Sequence, residues 1–127
     1  MTAKRQRANL LTVEDCAEFD RYILKWQKLL NLSDWRIERG NGQSAKNMAE
    51  VCFDPGARMA VYKVGQSFGA TPVTPTTLEE TAVHELLHVL LFDLLQCAPG
   101  ELEGAEHRVI NVLEKLLFKG IHAPQTD

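Results

Sequence analysis

The residues best suited to chemistry form the segment His84-Glu85-Leu86-Leu87-His88, in which two histidines lie four positions apart. On a helix such positions lie one above the other, so both imidazoles project from the same side and can bind one metal ion. Imidazole nitrogens suit zinc, and a zinc site with three protein ligands keeps a position for water. Glu85 can take a proton from that water, so the segment predicts a zinc site with Glu85 as the general base.

The sequence around this segment predicts a buried helix at residues 78–96. Apolar side chains cover almost the whole circumference of this helix, which is typical of a helix inside a core. Two histidines and a glutamate in such a place need partners, because polar groups buried without them are costly. This favours a metal site over a solvated polar face. The supporting signals are the capping-box patterns Thr76-x-x-Glu79 and Thr77-x-x-Glu80 before the helix and the stop signal Cys97-Ala98-Pro99-Gly100 after it.

The chain has 127 residues, of which 45% are hydrophobic and 24% charged, values that are typical of one globular domain. We expect a single domain over residues 1–127, with flexible tails at residues 1–11 and 121–127. The net charge of −3 gives no support to a nucleic-acid surface. The apolar run at residues 78–95 carries too many acidic and histidine side chains to span a membrane. Neither nucleic acid nor a membrane is therefore an expected partner.

The cysteines of the chain are Cys16, Cys52 and Cys97, an odd number with no C-x-x-C pair. This usage is typical of reduced thiols rather than of a disulfide framework. No signal-peptide pattern is visible near the N-terminus, because polar residues interrupt any apolar stretch there. The sequence predicts a cytoplasmic protein.

Apolar residues at helical spacing predict two further helices. The first spans residues 13–30, with Thr12 as its N-cap and Asp15 favourably placed at the positive end of the helix dipole. The last begins at about residue 101 and ends near residue 118, stopped by Gly120. Its predicted apolar stripe consists of Leu102, Val109, Ile110, Val112, Leu113, Leu116 and Leu117.

Alternation and β-branched residues predict three strands, at residues 35–39, 48–53 and 58–64. The short turn at residues 54–56 joins the last two strands as an antiparallel hairpin. The order of elements predicts an α+β fold, with a mostly antiparallel three-stranded sheet and the helices packed on one of its faces.

A zinc site needs a third protein ligand beyond the two histidines. Glu106 fits best, because it lies on the apolar stripe of the last helix, where a carboxylate needs a partner. An antiparallel return of that helix also brings Glu106 to within about one turn of His88, at about 1.5 Å of rise per residue. His107 is a further candidate, but it is predicted to point toward Asn111 and Glu114 on the solvent side. The remaining candidates are Glu103, Asp93, His122 and Cys97.

With these residues identified, the chain resembles the zincin metallopeptidases, and more closely a minimal gluzincin of the kind predicted in phages and prophages. Its His84-Glu85-x-x-His88 segment, followed by Glu106 in a Leu/Val-rich helix, matches the gluzincin pattern of two histidines and a downstream glutamate. The resemblance covers residues 35–117. It implies a short sheet over the motif helix and Zn²⁺ held by His84, His88 and Glu106, with Glu85 as the catalytic base and acid.

The expected reaction is hydrolysis of a peptide bond in a peptide or protein substrate that binds in an extended conformation. Strand 58–64 precedes the motif helix and is predicted to be the edge strand that pairs with the substrate. Tyr62 and His107 are candidate substrate-binding residues, and with Arg108 they are the candidates to stabilise the oxyanion.

Other functions fit the same residues. The chain could be a zinc-stabilised binding or regulatory protein without turnover, or a different zinc hydrolase such as a nuclease, against which the acidic net charge counts. A peptidase that processes a single protein partner is a further alternative. The two histidines and a carboxylate also accept other first-row metal ions.

Overall fold

The computed structural model describes residues 9–97 and 103–122, and in these ranges it contains three α-helices and one three-stranded mixed sheet. The predicted α+β class is confirmed, and the elements follow the predicted order. They are α1 (Val13–Leu29), β1 (Arg36–Arg39), β2 (Ala49–Asp54), a 3-10 turn (Pro55–Ala57), β3 (Met59–Val64), α2 (Pro75–Cys97) and α3 (Glu103–His122).

Helix α1 begins as the sequence predicts. Thr12 Oγ1 accepts a hydrogen bond from the Asp15 amide at 3.1 Å, and Asp15 Oδ2 accepts one from the Thr12 amide at 2.9 Å. This reciprocal pair satisfies two amides at the start of the helix, as in a capping box. The core-facing side chains of α1 recur at helical spacing and are Cys16, Phe19, Ile23 and Trp26.

The sheet has the strand order β1-β3-β2, so β3 is its central strand. The predicted hairpin is confirmed, because β2 pairs antiparallel with β3 and places Val51 opposite Tyr62. On its other side β3 pairs in parallel with β1, with Ile37 opposite Ala60. The prediction that β3 is an edge strand is wrong, since β1 occupies the side that the hairpin leaves open. For the same reason the sheet is mixed rather than mostly antiparallel.

The core lies between one face of the sheet and the helices. On β3 the alternate residues Ala60, Tyr62 and Val64 are buried against this layer. The Tyr62 ring lies 5.7 Å from that of Phe19 on α1, measured between ring centroids. The partner strand β2 contacts α2 in the same layer through aromatic rings. Helices α1 and α2 therefore pack on one face of the sheet, as predicted.

Helix α2 begins one turn earlier than predicted. Thr74 and Thr77 exchange side-chain-to-amide hydrogen bonds of 3.1 and 2.9 Å, and Pro75 takes the first helical position, where its missing N–H costs nothing. The capping boxes predicted at Thr76 and Thr77 are therefore wrong. Glu79, one of their acids, is buried and accepts hydrogen bonds from Lys25 and Trp26 of α1.

Helix α3 is rotated relative to the prediction, and it does not stop at Gly120 but continues to His122. A single glycine costs about 1 kcal/mol in a helix and does not by itself end one. Ile110 is fully buried, whereas Val109, Val112 and Leu116 of the predicted stripe are 43%, 53% and 59% exposed. Phe118 packs instead, with its ring centroid 5.9 Å from that of Trp26. Residues 101 and 102, where this helix was predicted to start, lie outside the described ranges.

The segment at residues 9–11 is not the loose tail that the sequence predicts. Leu10 forms an antiparallel bridge with Ser67, and the Leu11 amide donates to the carbonyl of Gln66 at 3.0 Å. Asn9 adds a side-chain hydrogen bond to the carbonyl of Gly69 at 2.7 Å. In the described part of the chain, no helix combines the length and apolar character that a membrane crossing requires.

Gly65, directly after β3, lies where only glycine fits. A Cβ at this position would lie 2.3 Å from the carbonyl oxygen of Asn47 and 2.8 Å from that of Met48. The Gly65 amide donates to the same Met48 carbonyl at 2.6 Å. This close approach ties the start of β2 to the point where the chain leaves the sheet for α2.

Candidate metal centre

A cleft of about 940 Å³ opens between β2, α2 and α3, and every element of the motif faces it. Helix α2 contributes His84, Glu85 and His88 to its lining. Helix α3 returns alongside α2 and contributes Glu106 and His107, among others. The i, i+4 spacing on α2 places the first two imidazoles on one side of the helix, as the sequence predicts.

Three imidazoles converge in this cleft. The ring centroid of His84 lies 5.2 Å from that of His88 and 6.2 Å from that of His107, and the last two rings are 5.1 Å apart. One potential ligand nitrogen from each of the three rings lies within 4.8 Å of the others. Two of these histidines come from α2 and one from α3, so the group joins the two helices.

A glutamate from α3 contacts each histidine of the motif. Glu106 Oε2 lies 2.6 Å from Nδ1 of His88, and Glu114 Oε2 lies 3.2 Å from Nδ1 of His84. When the Nδ1–H donates to a carboxylate, the ring has its lone pair on Nε2, and its orientation is fixed. This is the arrangement in which histidines of metal sites present Nε2 to the ion.

The two motif histidines have different electrostatic surroundings. The hydrogen bond to Glu114 raises the pKa of His84 above its ordinary value, since the carboxylate stabilises the protonated ring. Burial lowers the pKa of His88 and outweighs the opposing effect of Glu106. His88 is therefore the histidine that burial keeps neutral, the form in which an imidazole binds a metal ion.

Glu85 is a buried carboxylate that has no hydrogen-bonding partner among the described residues. It is 7% exposed and lines the cleft. None of the described residues donates a hydrogen bond to its carboxylate, and neither oxygen is sealed away from the cleft. Burial raises the pKa of Glu85 to about 7, against the opposing effect of the His84 charge. A group of this kind can exchange protons with a molecule in the cleft.

The structure brings most of the predicted site residues together. His84, Glu85, His88 and Glu106 all line the cleft, and the predicted approach of Glu106 to His88 is observed. The Glu106 carboxylate contacts the histidine rather than a metal position, so its predicted role as third ligand stays a prediction. His107, a lower-ranked candidate, lies in the cluster of ring nitrogens instead.

Tyr62 is not brought to the cleft. Its side chain is buried on the helix-covered face of the sheet, where the hydroxyl donates to Asp20 Oδ1 at 2.6 Å. Desolvation and this hydrogen bond raise the pKa of Tyr62. Its place in the core separates Tyr62 from any substrate in the cleft. The side chains of the other ligand candidates, Asp93, Cys97, Glu103 and His122, lie outside what the structure describes.

The predicted position of His107, exposed and on the side of Asn111 and Glu114, is confirmed, since all three residues line the cleft. Sequence reasoning missed that this side of α3 borders the cleft and that Glu114 contacts His84. The error follows from the assumed apolar stripe of α3, which gave Val109 and Val112 inward positions that they do not have. The signal that could have found His107 and Glu114 is their spacing. They lie seven positions apart, on the same helical face as Ile110, which is fully buried.

The donor set fits a zinc ion. Zinc binds imidazole nitrogens at about 2.0–2.1 Å, so the nitrogens of a tetrahedral site lie about 3.4 Å apart. The three ring nitrogens, within 4.8 Å of one another, need only small side-chain rotations to reach that spacing. The carboxylates of Glu106 and Glu114 contact two of these rings, as the groups that orient histidine ligands do in metal sites.

Comparison with known proteins gives no significant match to a family model, a curated protein or a solved structure. The functional argument therefore depends on the residues of the cleft and their geometry.

Proposed function

We propose that this protein is a zinc-dependent metallopeptidase with its active site in the cleft between β2, α2 and α3. The observation that carries the proposal is the position of Glu85 next to three convergent imidazoles, as a buried carboxylate to which no described residue donates a hydrogen bond. Burial that raises the pKa of Glu85 to about 7 disfavours its charged form in the fold, and a role in catalysis accounts for keeping the carboxylate there.

The histidines would hold the metal ion, with His84 and His88 from α2 and His107 from α3 as ligands. Glu106 and Glu114 would orient the rings of His88 and His84 through their Nδ1 atoms. Zinc in such a site supplies a Lewis acid that polarises the substrate carbonyl and lowers the pKa of the attacking water. Glu85 accepts a proton from this water and delivers it to the leaving amine.

The substrate would bind along β2. This strand lies at the edge of the sheet and borders the cleft through residues 49–51 and 53, together with residues 47 and 48 just before it. An extended peptide can add to such an edge through backbone hydrogen bonds. The sequence predicted that the substrate pairs with β3. We assign this pairing to β2 instead, because β3 lies between two neighbouring strands.

The charge of the cleft supports a peptide over a nucleic-acid substrate. Five glutamates line it, and no described lining residue is a lysine or an arginine. Phosphates would meet these carboxylates without a lysine or an arginine among the described lining residues to compensate. A peptide carries no such obligatory negative charge.

The test is the variant Glu85→Gln, assayed for zinc content and for cleavage of denatured protein and peptide libraries. We expect one zinc per chain in the wild type and in the variant, and cleavage by the wild type only, because glutamine preserves the shape of the side chain but accepts no proton. A matched control is Glu38→Gln on β1, a glutamate outside the cleft lining, which should leave cleavage unchanged. Cleavage by the Glu85→Gln protein at the wild-type rate would contradict the proposed role of Glu85.

A second candidate function is that of a zinc-stabilised binding protein without turnover. It is favoured by the absence of lysine, arginine and tyrosine from the described cleft lining, because His107, a candidate to stabilise an oxyanion, is also a candidate metal ligand. Zinc binding and peptide binding by a wild type that cleaves nothing would establish this second function.

A further inference from the structure

The cleft has a charged end and an apolar end, and both ends are formed by residues of β2 and α2. From Glu50 to Phe53 the strand advances about 10 Å at about 3.3 Å per residue. From Glu85 to Phe92 the helix advances about 10.5 Å at about 1.5 Å per residue. Phe53 stacks on Phe92 with ring centroids 4.4 Å apart, and Glu50 is close enough for its charge to act on Glu85. The strand and the helix therefore run side by side in the same direction.

Glu50 supplies the charged end of the cleft. It lies on the edge strand, lines the cleft and forms no hydrogen bond or ion pair with any described residue. Lys63 lies opposite Glu50 on β3, but its side chain runs toward Gly40 on the β1 side and forms no ion pair with Glu50. The described lining of the cleft contains no lysine or arginine, so the charge of Glu50 is available to an incoming ligand. The complementary group is a cation, and on a peptide this is a lysine or an arginine side chain.

Phe53 and Phe92 supply the apolar end. Both line the cleft, and both are half-buried rather than enclosed. Trp35 packs against them from behind, with its ring centroid 5.9 Å from Phe53 and 5.5 Å from Phe92, and so holds the two rings in place. A rigid aromatic surface open to the cleft favours an apolar side chain, because burial of that side chain removes apolar area from water.

We propose that the cleft selects an extended peptide with a basic side chain beside Glu50 and an apolar side chain against Phe53 and Phe92. The two ends are about 10 Å apart, and an extended chain covers that distance in about three residues. His88 lies between the ends, one helical turn before Phe92, and Glu85 lies at the charged end near Glu50. The inference rests on the proposed function only in taking a peptide as the occupant.

Peptide binding to the zinc-loaded Glu85→Gln protein tests this proposal without requiring cleavage. The probes are fluorescent peptides of one length with lysine and leucine three residues apart, and matched peptides with glutamate for lysine or serine for leucine. Fluorescence anisotropy gives each dissociation constant. We expect the lysine–leucine peptide to bind most tightly, and Glu50→Gln to weaken its binding about two- to fivefold, as for a partly exposed ion pair.

The matched control is Asp54→Asn. It removes the same charge from the same strand, but Asp54 is exposed and does not line the cleft, so lysine–leucine binding should not change. The reversed variant Glu50→Lys should instead favour the glutamate peptide. Equal binding of lysine and glutamate peptides, or equal effects of Glu50→Gln and Asp54→Asn, would overturn the proposal, as would a failure of all the peptides to bind.

The outcomes separate this inference from the proposed function. If the wild type cleaves peptides regardless of their charge and apolar residues, the peptidase function is supported and the proposed selectivity is wrong. If the wild type cleaves nothing but binds the lysine–leucine peptide in a Glu50-dependent way, the peptidase function is wrong and the selectivity of the cleft is supported.

Discussion

The carboxylates of Glu106 and Glu114 occupy equivalent places at the two histidines of the α2 motif. Each accepts from Nδ1 of one imidazole, and each comes from α3. Their contacts make α3 the source of both the orienting groups and the third imidazole. At the scale of single residues, the identity of the third metal ligand can be tested directly by substitution.

Zinc content of Glu106→Ala and His107→Ala distinguishes the two candidates. If His107 is the third ligand, its alanine variant should lose the metal, whereas Glu106→Ala should keep it with lower affinity, because only the support of His88 is lost. Elemental analysis after gel filtration gives the stoichiometry, and circular dichroism verifies the fold. Asn111→Ala, in the same cleft, is the control and should retain one zinc. The opposite result, loss in Glu106→Ala alone, would establish the glutamate that the sequence favours.

Glu114→Ala should weaken zinc binding about 10- to 100-fold, the usual effect of removing a carboxylate that orients a ligand histidine. Glu114→Gln keeps an acceptor for His84 Nδ1 and should lie between the wild type and the alanine variant. Competition with a chromophoric chelator measures the affinity. Lys115→Gln, at the exposed neighbouring position, should not change it. An unchanged affinity in Glu114→Ala would show that the contact with His84 does not support the metal.

The sequence predicts the relative positions of functional residues that lie close together in the chain on one helix. His84 and His88 share a helix, so their relation needs only the helical repeat, and the approach of Glu106 follows from two helix lengths. His107 and Glu114 depend on the rotation of α3 about its own axis. That rotation is set by packing of Ile110 and Phe118 against other elements, which no local pattern specifies.

At the scale of elements, the junction between β3 and the chain that leads to α2 is the tightest point. Gly65→Ala should destabilise the fold by about 1–3 kcal/mol, since its Cβ would overlap two backbone carbonyl oxygens that cannot rotate away. The midpoint of urea unfolding measures the change. Gly56→Ala is the control and should stay within about 0.5 kcal/mol, because its Cβ would meet only a normal contact at 3.7 Å. Equal shifts for the two variants would show that Gly65 has room.

The elements themselves were mostly predictable, but the order of the strands was not. The turn at Pro55–Ala57 makes the β2–β3 hairpin local, whereas the pairing of β1 with β3 joins residues far apart in the chain. The alternation of apolar and polar residues does not specify which strand of the hairpin β1 pairs with. The start of α2 was missed for a different reason: Thr74, Thr76 and Thr77 all resemble N-caps, and Pro75 favours the first of them.

At the scale of the whole molecule, a metal ion should stabilise the fold. Its proposed ligands lie on α2 and α3, so the ion would bind only when the two helices are packed together. A free zinc concentration of about 100 times the dissociation constant would add about 2.7 kcal/mol to the free energy of unfolding. We expect a chelator to lower the melting temperature of the wild type, measured by differential scanning fluorimetry. His88→Ala should melt at the same temperature with and without chelator, and a wild type insensitive to chelator would contradict the linkage.

The sequence was sufficient to predict the fold class and the packing of helices on the sheet. Composition and the order of periodic segments suffice for an α+β domain with helices on one face of the sheet, since an amphipathic helix and a half-apolar sheet must cover each other. The cleft was not predictable, because it depends on which strand lies at the edge beside α2. That position belongs to β2, whose residues carried no functional prediction.

The position of β2 at the sheet edge has a consequence for the behaviour of the protein in concentrated solution. An edge strand can accept a strand from another copy of the same chain as readily as a peptide, which is a common start of aggregation. Glu50 and Asp54 place negative charges near the two ends of β2, so two such edges would repel each other on approach. The same charge at Glu50 that is proposed to select a basic peptide would thus also keep neighbouring molecules apart.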